Sequence, residues 1–337
     1  MNLNEDRYNR YSLVREMYDS VDYIKNFRPE NAAAFLPGVP ADKAVMLTGE
    51  GSSRIFPAKN AVHSRLATNT GPLILTESST DLAGKNLDGF VVIGASNSGK
   101  TKEVISLFKD LKSSGHEHVY GLTCNRETLL EKYSEKTFII EAGPEKAVAA
   151  SKSVVAQALF YDSLLTAWQG REIDTKRLAL EFKKALDYRP DSGIVEKICS
   201  AGMVWFSGNN NGVAEELTLK TNEIIRKKAS YLPGTYLLHG VEEVMTPGDI
   251  IIMVDAYPGE FEKIKTVYSE NIGATVIAIS QIPTPFETVA LPVVPTHLEP
   301  YIKLAAGWNL LVEAGTKLGI DLDKPERARK IGNEAAG

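Results

Sequence analysis

Short apolar runs alternate with longer segments of helical period along most of this sequence, and that alternation leaves few folds open. Parallel strands need a long crossover between them, and a helix is the usual one. The runs Ala44 to Thr48, Leu73 to Thr76, Phe90 to Ala95, His118 to Thr123 and Thr137 to Glu141 read as strands. A helical lead-in over Leu13 to Phe27 precedes them, and a long helix from Ala147 to Trp168 follows, closed by Gly170. A second helix, Asp174 to Leu186, is broken near Pro190 and leads to strands at Val204 to Ser207, Ile250 to Asp255 and Thr275 to Ser280, with a weaker one at Pro292 to Val294. Helices near Val213 to Arg226, Pro258 to Ile272 and Leu298 to Leu318 complete that half. The plan runs twice. Each half opens with a strand that ends in a polar glycine turn before a helix: Gly49-Glu50-Gly51-Ser52-Ser53 in the first, Ser207-Gly208-Asn209-Asn210-Asn211 in the second. The expected class is α/β: two three-layer αβα domains, each a mostly parallel sheet flanked by helices. A lead-in occupies residues 1–40, the first domain residues 41–172, and a linker helix with the second domain and its C-terminal tail residues 173–337.

The bulk properties narrow the partners. A chain of 337 residues, 43% hydrophobic and 24% charged, can bury two cores. Its net charge of −5 and scattered Lys and Arg make no basic stripe, so neither a nucleic acid nor a membrane surface is expected as partner. Met1 to Arg15 is polar and no apolar run reaches membrane-spanning length, so a cytoplasmic location is expected. The two cysteines, Cys124 and Cys199, lie far apart and read as reduced, mostly buried thiols. The five histidines are dispersed, and His116 and His118 flank Glu117 in what reads as a solvated turn, so no metal site and no cofactor are expected.

The sharpest local signal is Gly94-Ala95-Ser96-Asn97-Ser98-Gly99-Lys100-Thr101, which follows Val91-Val92-Ile93 and opens a helix through Val104, Ile105 and Leu107. A strand, a hydroxyl-rich turn and a helix N-terminus together make an anion site. Unpaired amides, the helix dipole and side-chain hydroxyls converge there, and a phosphate needs no metal. The plain alternative is a turn with its cap. The segment also fits the nucleotide pattern G-x-x-x-x-G-K-[ST], and Ile250 to Asp255 resembles the apolar strand whose Asp holds magnesium in such proteins. Against it, the loop follows the third strand, and that Asp lies in the other domain.

Read as Ser-x-Ser-Gly-x-Thr, the loop Ser96 to Thr101 resembles the phosphate turn of the sugar isomerase (SIS) domain family. Other segments match at family spacing. Gly49-Glu50-Gly51-Ser52-Ser53 resembles the Gly-x-Gly-Thr-Ser turn of the isomerase half of glucosamine-6-phosphate synthases, and the stretch Gly143-Pro144-Glu145-Lys146-Ala147-Val148-Ala149-Ala150-Ser151-Lys152-Ser153 resembles their Val-Ala-Ser-Thr-Lys segment. Leu219-Lys220-Thr221-Asn222-Glu223 resembles Leu-Lys-x-x-Glu, His239-Gly240 the family His-Gly, and Pro325 to Lys330 the tail Pro-Arg-x-Leu-x-Lys. The resemblance runs from about Val45 onward and implies tandem SIS-type domains. It implies Glu223, His239 and Lys330 as catalytic residues and Ser96, Asn97, Ser98 and Thr101 as phosphate ligands. Gly51, Ser52, Ser53, Ala149, Ala150 and Lys220 would border the sugar. Two departures lie near the sugar: Ala150 replaces a serine, and Tyr236-Leu237-Leu238-His239-Gly240-Val241, followed by Glu242-Glu243, replaces Glu-Leu/Phe-x-His-Gly-Pro. No amidotransferase domain precedes the first SIS segment, so glutamine-dependent synthesis is not expected.

The chemistry implied is a proton shuttle on a small sugar phosphate. Glu223 would move a proton between C1 and C2, a task suited to a partly buried carboxylate of raised pKa, and His239 would open the ring. Lys220, within one helical turn of Glu223, would tune it, and Lys330 would stabilise developing negative charge. In relatives of this kind the histidine serves the adjacent subunit, which implies a homodimer with a shared active site. Three functions stay open at this point: an isomerase or deaminase on an amino sugar 6-phosphate, a deglycase on fructosamine 6-phosphates, and a non-catalytic sugar-phosphate sensor. Retention of Glu223, His239 and Lys330 together favours the enzymes.

Overall fold

The structure, a computed structural model, describes residues 1–36, 38–255, 257–329 and 333–335. It divides into two units, one of residues 1–21, 146–149 and 176–327, the other of residues 22–145, 150–175 and 328–337. The chain leads in with α1 (Asp6–Asn9) and α2 (Ser12–Asn26).

The unit with the first sheet then runs α3 (Pro29–Ala33), β1 (Ala44–Gly49), α4 (Ile55–Thr68), β2 (Ile74–Ser78), α5 (Ser79–Leu82), β3 (Phe90–Ala95), α6 (Lys102–Ser113), β4 (Val119–Thr123), α7 (Leu129–Tyr133), β5 (Lys136–Ile139) and α8 (Lys152–Trp168). All neighbours pair in parallel, in the order β2-β1-β3-β4-β5. Successive side chains of a strand point to opposite faces, and here both faces are dry. Val45, Leu47, Val91 and Ile93 pack with Ala58 and Ala61 of α4 and Ala156, Phe160 and Leu164 of α8. Met46 and Val92 pack on the other side with Val104, Ile105 and Phe108 of α6 and Leu130 of α7. Helix, sheet and helix thus form three layers.

The other unit holds α9 (Thr175–Asp187), α10 (Ser192–Ser200), β6 (Val204–Gly208), α11 (Val213–Lys220), β7 (Ala229–Pro233), β8 (Ile250–Met253), α12 (Phe261–Ile264), β9 (Thr275–Ser280), β10 (Glu287–Ala290) and α13 (Glu299–Lys317). Its sheet is also wholly parallel, in the order β10-β9-β8-β6-β7. Ile251 and Met253 face a cluster with Ile264 and Tyr268. Its α11 packs against α13, where a Cβ added at Gly307 would lie 2.4 Å from Leu217.

The α/β class and the doubled parallel sheet are as the sequence indicates, with local corrections. The last strand is Glu287–Ala290, not Pro292 to Val294; proline has no amide for a ladder, and Val293 is 77% exposed. Strand β7 escapes the apolar-run criterion. The long helix begins at Lys152, not Ala147, because the amides of Ser151 and Ser153 are capped by Glu145 from outside the helix. The helix read over Val213 to Arg226 widens into a π-turn over Thr221–Ile225, and the one read over Pro258 to Ile272 is a 3-10 turn, α12 and a π segment. Cys124 and Cys199 are both partly buried. Among the described residues no helix is long and apolar enough to cross a membrane.

A substitution at the α11–α13 contact tests this packing. Gly307→Val should destabilise the protein by about 1–3 kcal/mol through overpacking against Leu217, read as a lower urea midpoint; an unchanged midpoint would show that the two helices do not meet as described.

Candidate active site

In a doubly wound parallel sheet, ligands bind beyond the carboxyl ends of the strands where the order reverses. In the first sheet that point lies between β1 and β3, whose last residues Gly49 and Ala95 are paired. A Cβ at Gly49 would come within 2.9 Å of the Ala95 carbonyl oxygen, so only glycine lets the two strand ends run this close. Two turns therefore leave the sheet side by side. One is the 3-10 turn Gly51–Ser53, where Gly51 has φ +52° and the Gln157 amide of α8 donates to Ser53 Oγ (3.4 Å). The other is the loop Ser96 to Thr101.

That loop is closed by its own hydroxyls. Ser96, fully buried, accepts from the Thr101 amide (3.3 Å) and its Oγ lies 2.8 Å from Thr101 Oγ1, while Ser98 Oγ accepts from the Lys100 amide (3.2 Å). Gly99, at φ +66°, packs against Thr128, leaving no room for a Cβ. The Asn97 carbonyl is pinned by three donors, the Cys124 amide (3.2 Å), Thr123 Oγ1 (3.1 Å) and Asn125 Nδ2 (2.7 Å). On the outer side the tail lies along the loop: Glu334 bridges Thr101, the Ala335 amide donates to the Lys100 carbonyl (2.9 Å) and the Lys102 amide to the Asn333 carbonyl (3.2 Å). Lys330 lies outside the described residues.

In the other unit, Glu223 sits on the π-turn that ends α11, which is stopped by Arg226 in the left-handed region at φ +56°. Such widened turns recur at functional positions. Its carboxylate, 26% exposed, is 2.7 Å from Lys220 Nζ. Lys220 is buried at 1% exposure and also lies 3.3 Å from the fully buried Glu216. Burial alone would lower the Lys220 pKa, but Glu216 and Glu223 outweigh it, and the net shift is upward. The lysine thus stays charged, shared by two carboxylates. Arg226 in turn binds the carbonyls of Asp321 (3.3 Å) and Lys324 (2.7 Å) and the carboxylate of Glu326, which fixes the start of the tail.

The site residues named from the sequence fall into local groups. Gly51, Ser52 and Ser53 stand beside Ser96, Asn97, Ser98 and Thr101 at the β1–β3 ends, and Lys220 stands on Glu223. His239 is exposed at the end of a 3-10 turn, with no hydrogen bond to Glu223. Ala149 is buried in the segment whose Lys146 and Ala147 amides donate to Glu16 of α2; Ala150 is half-buried just before α8. Sequence reading missed Glu216, although its spacing from Lys220 signals a helix pair. It also missed Gln157 and Glu145, which act across long separations. The Asp required by the nucleotide reading, Asp255, is in a buried ion pair with Lys303 (2.7 Å) and accepts from the Asn209 amide (2.8 Å). Among the described residues no group of three or more His, Cys, Asp or Glu could hold a metal; His116 Nε2 lies 2.9 Å from the Leu87 carbonyl oxygen.

Since its pKa is raised, Lys220 should contribute its stability fully below the ordinary lysine value and lose it only as pH climbs through the higher folded value. Lys220→Met should cost about 3–5 kcal/mol at neutral pH by stranding buried carboxylate charge, and the deficit should shrink as the pH climbs through the raised lysine value, where the native protein loses the same charge. Urea denaturation of both forms at neutral and alkaline pH checks this; a small, pH-independent deficit would contradict it.

Comparison with known proteins places this geometry. Residues 85–167, from before β3 to the end of α8, match the family model of the SIS domain. The glutamine–fructose-6-phosphate aminotransferase (isomerizing) of Aeropyrum pernix is 25% identical over 363 aligned residues, covering 94% of this chain and 56% of that protein. This chain spans about half the length of the curated relatives it matches. Two solved structures share the fold: the C-terminal domain of glucosamine-fructose-6-phosphate aminotransferase from Francisella tularensis (TM-score 0.74, 18% identity, covering 94% of this chain and 98% of that one) and glucosamine-6-phosphate deaminase from Thermotoga maritima (TM-score 0.73, 20% identity, covering 95% and 98%). The strand, loop and helix around Ser96–Thr101 thus fall in a segment, residues 85–167, that matches the SIS domain, and the chain with its wholly parallel sheet built twice shares the fold of these structures.

Proposed function

We propose that this protein is a phosphosugar isomerase or deaminase that binds a sugar 6-phosphate at the Ser96–Thr101 loop and moves a proton between C1 and C2 with Glu223. The observation that carries the reading is the Glu216–Lys220–Glu223 arrangement, a partly exposed carboxylate held by a buried lysine whose pKa is raised. A solvated helix glutamate needs no such support, whereas a proton shuttle needs a fixed oxygen. Ser96, Asn97, Ser98 and Thr101, with the amides of the loop, hold the phosphate; Gly51, Ser52, Ser53, Ala149, Ala150 and Lys220 border the sugar. His239 opens the ring and Lys330 stabilises the oxyanion that develops. The relatives support the substrate class through their names alone: an aminotransferase acting on fructose 6-phosphate and a glucosamine-6-phosphate deaminase.

His239 is exposed and makes no hydrogen bond to Glu223, which supports a homodimer in which the histidine serves the other subunit's site. The fructosamine 6-phosphate deglycase is the second reading; Tyr236 in place of a glutamate and the Glu242-Glu243 pair suit a positively charged substrate amine, which fits both readings.

Turnover in deuterated water tests both. With glucosamine 6-phosphate, hexose 6-phosphates and fructosamine 6-phosphates as substrates, deuterium should enter C1 or C2, and release of ammonia or of an amino acid selects the reaction. Glu223→Gln should lower kcat by about 10² to 10⁴ without unfolding the protein. A protein that leaves every substrate unexchanged is not this enzyme. Mixing inactive Glu223→Gln with inactive His239→Ala should restore about a quarter of native activity if subunits exchange and share sites as a two-fold dimer does; no recovery after verified exchange would assign the histidine to its own subunit.

A further inference from the structure

Glu145 has a pattern of contacts that a helix cap does not require. Helix α8 starts at Lys152, and the residue before it, Ser151, makes no side-chain cap bond of its own; its buried Oγ has no hydrogen-bond partner among the described residues. The cap comes instead from six residues upstream. Glu145 Oε1 accepts from the amides of Ser151 (2.9 Å) and Ser153 (3.2 Å), and Oε2 accepts from Ser153 Oγ (2.9 Å) and from the side-chain amide of Asn97 (3.2 Å). A carboxylate offers only acceptors, so the nitrogen of the Asn97 amide must face it. Two hydrogens sit on that nitrogen, and one bond to Glu145 leaves the other for a ligand in the loop.

We infer that Glu145 is a positioning residue that links the Ser96–Thr101 loop to the N-terminal turn of α8, so that an anion in the loop tightens the backbone at Ser151 to Ser153, next to Ala150. The inference rests on reading the loop as a phosphate site. Its physical basis is the single strut Asn97–Glu145–Ser151/Ser153. The Asn97 backbone is immobilised by three donors to its carbonyl, so its side chain transmits strain or order instead of absorbing it. The amides of Ser151 and Ser153 are the far end of the strut, and their charge-assisted bonds to Glu145 are the stronger kind. The consequence for substrate choice is direct. A sugar without phosphate would meet a looser Ala150–Ser153 edge than its 6-phosphate does.

The test is amide hydrogen exchange at Ser151 and Ser153, with inorganic phosphate as the probe and the Gly99 and Thr101 amide signals reporting occupancy. Saturating phosphate should slow exchange at both serines by about fivefold to tenfold in the native protein. The slowing should vanish in Asn97→Ala brought to the same occupancy. Asn97→Leu, similar in size but without a donor, serves as a second variant if Asn97→Ala folds poorly, and it should behave alike. Protection that persists in both variants, or occupied native loops with no protection, would overturn the link. If phosphate leaves Gly99 and Thr101 unmoved, the phosphate-site reading falls instead, and ligand-free exchange separates the two failures: Asn97→Ala should by itself speed exchange at Ser151 and Ser153, and unchanged rates there would overturn the strut independently of any ligand.

Discussion

The first-sheet unit depends on how closely β1 and β3 approach at their carboxyl ends. Gly49 and Ala95 are paired partners, and the missing Cβ at Gly49 is what brings backbone against backbone there. From that one contact follow the adjacent exits of the Gly51–Ser53 turn and the Ser96–Thr101 loop. The hydrophobic layers on both faces hold the sheet, but they would hold it as well with the two turns apart. The loop itself carries little apolar surface, so its shape is set by hydrogen bonds: Ser96 to Thr101, Ser98 to Lys100, and the triply bonded Asn97 carbonyl. If the loop binds an anion as proposed, its ordering cost is met during folding, before any ligand arrives.

The second-sheet unit solves a different problem, the support of charge out of water. Lys220, Glu216 and Glu223 form one chain of contacts with only Glu223 reaching the surface. Asp255, Lys303 and Glu299 form another, closed on itself by the Asn209 amide. Buried ion networks are seldom the most stabilising way to fill a core, and hydrophobic replacements often do as well. Their presence is better explained by what they hold in place. In the first network that is a carboxylate on a π-turn; in the second it is the turn after β6, where Tyr257 and Tyr231 also bond to Asn209.

Much of this was legible in the sequence because of burial. Strands covered on both faces, such as Phe90–Ala95 and Thr275–Ser280, are unbroken apolar runs and are placed to the residue. Edge strands are not: in Ala229–Pro233 only Leu232 is buried, and in Glu287–Ala290 only Val289 is, so the run Pro292 to Val294 close by drew the assignment. Helix starts were misplaced where the cap is distant in sequence, as with Glu145 and α8. The loop at Ser96–Thr101 and the Lys220–Glu223 pair were readable since both are local, a turn and a helical spacing. Glu216 was equally local and went unread. Gln157 on Ser53 and Glu145 on Asn97 were beyond reach, because no periodicity links residues that meet only after the sheet has formed.

The central claim is that the Ser96–Thr101 loop selects a phosphorylated sugar. Isothermal titration of the native protein with fructose 6-phosphate, with fructose and with ATP, repeated on a Ser98→Ala/Thr101→Ala double variant of native stability, addresses it most directly. The account predicts binding of fructose 6-phosphate alone, lost or weakened at least tenfold in the variant, as expected when charge-assisted hydrogen bonds are removed. Equal binding of fructose and its phosphate, or an affinity for ATP that depends on the same hydroxyls, would contradict it.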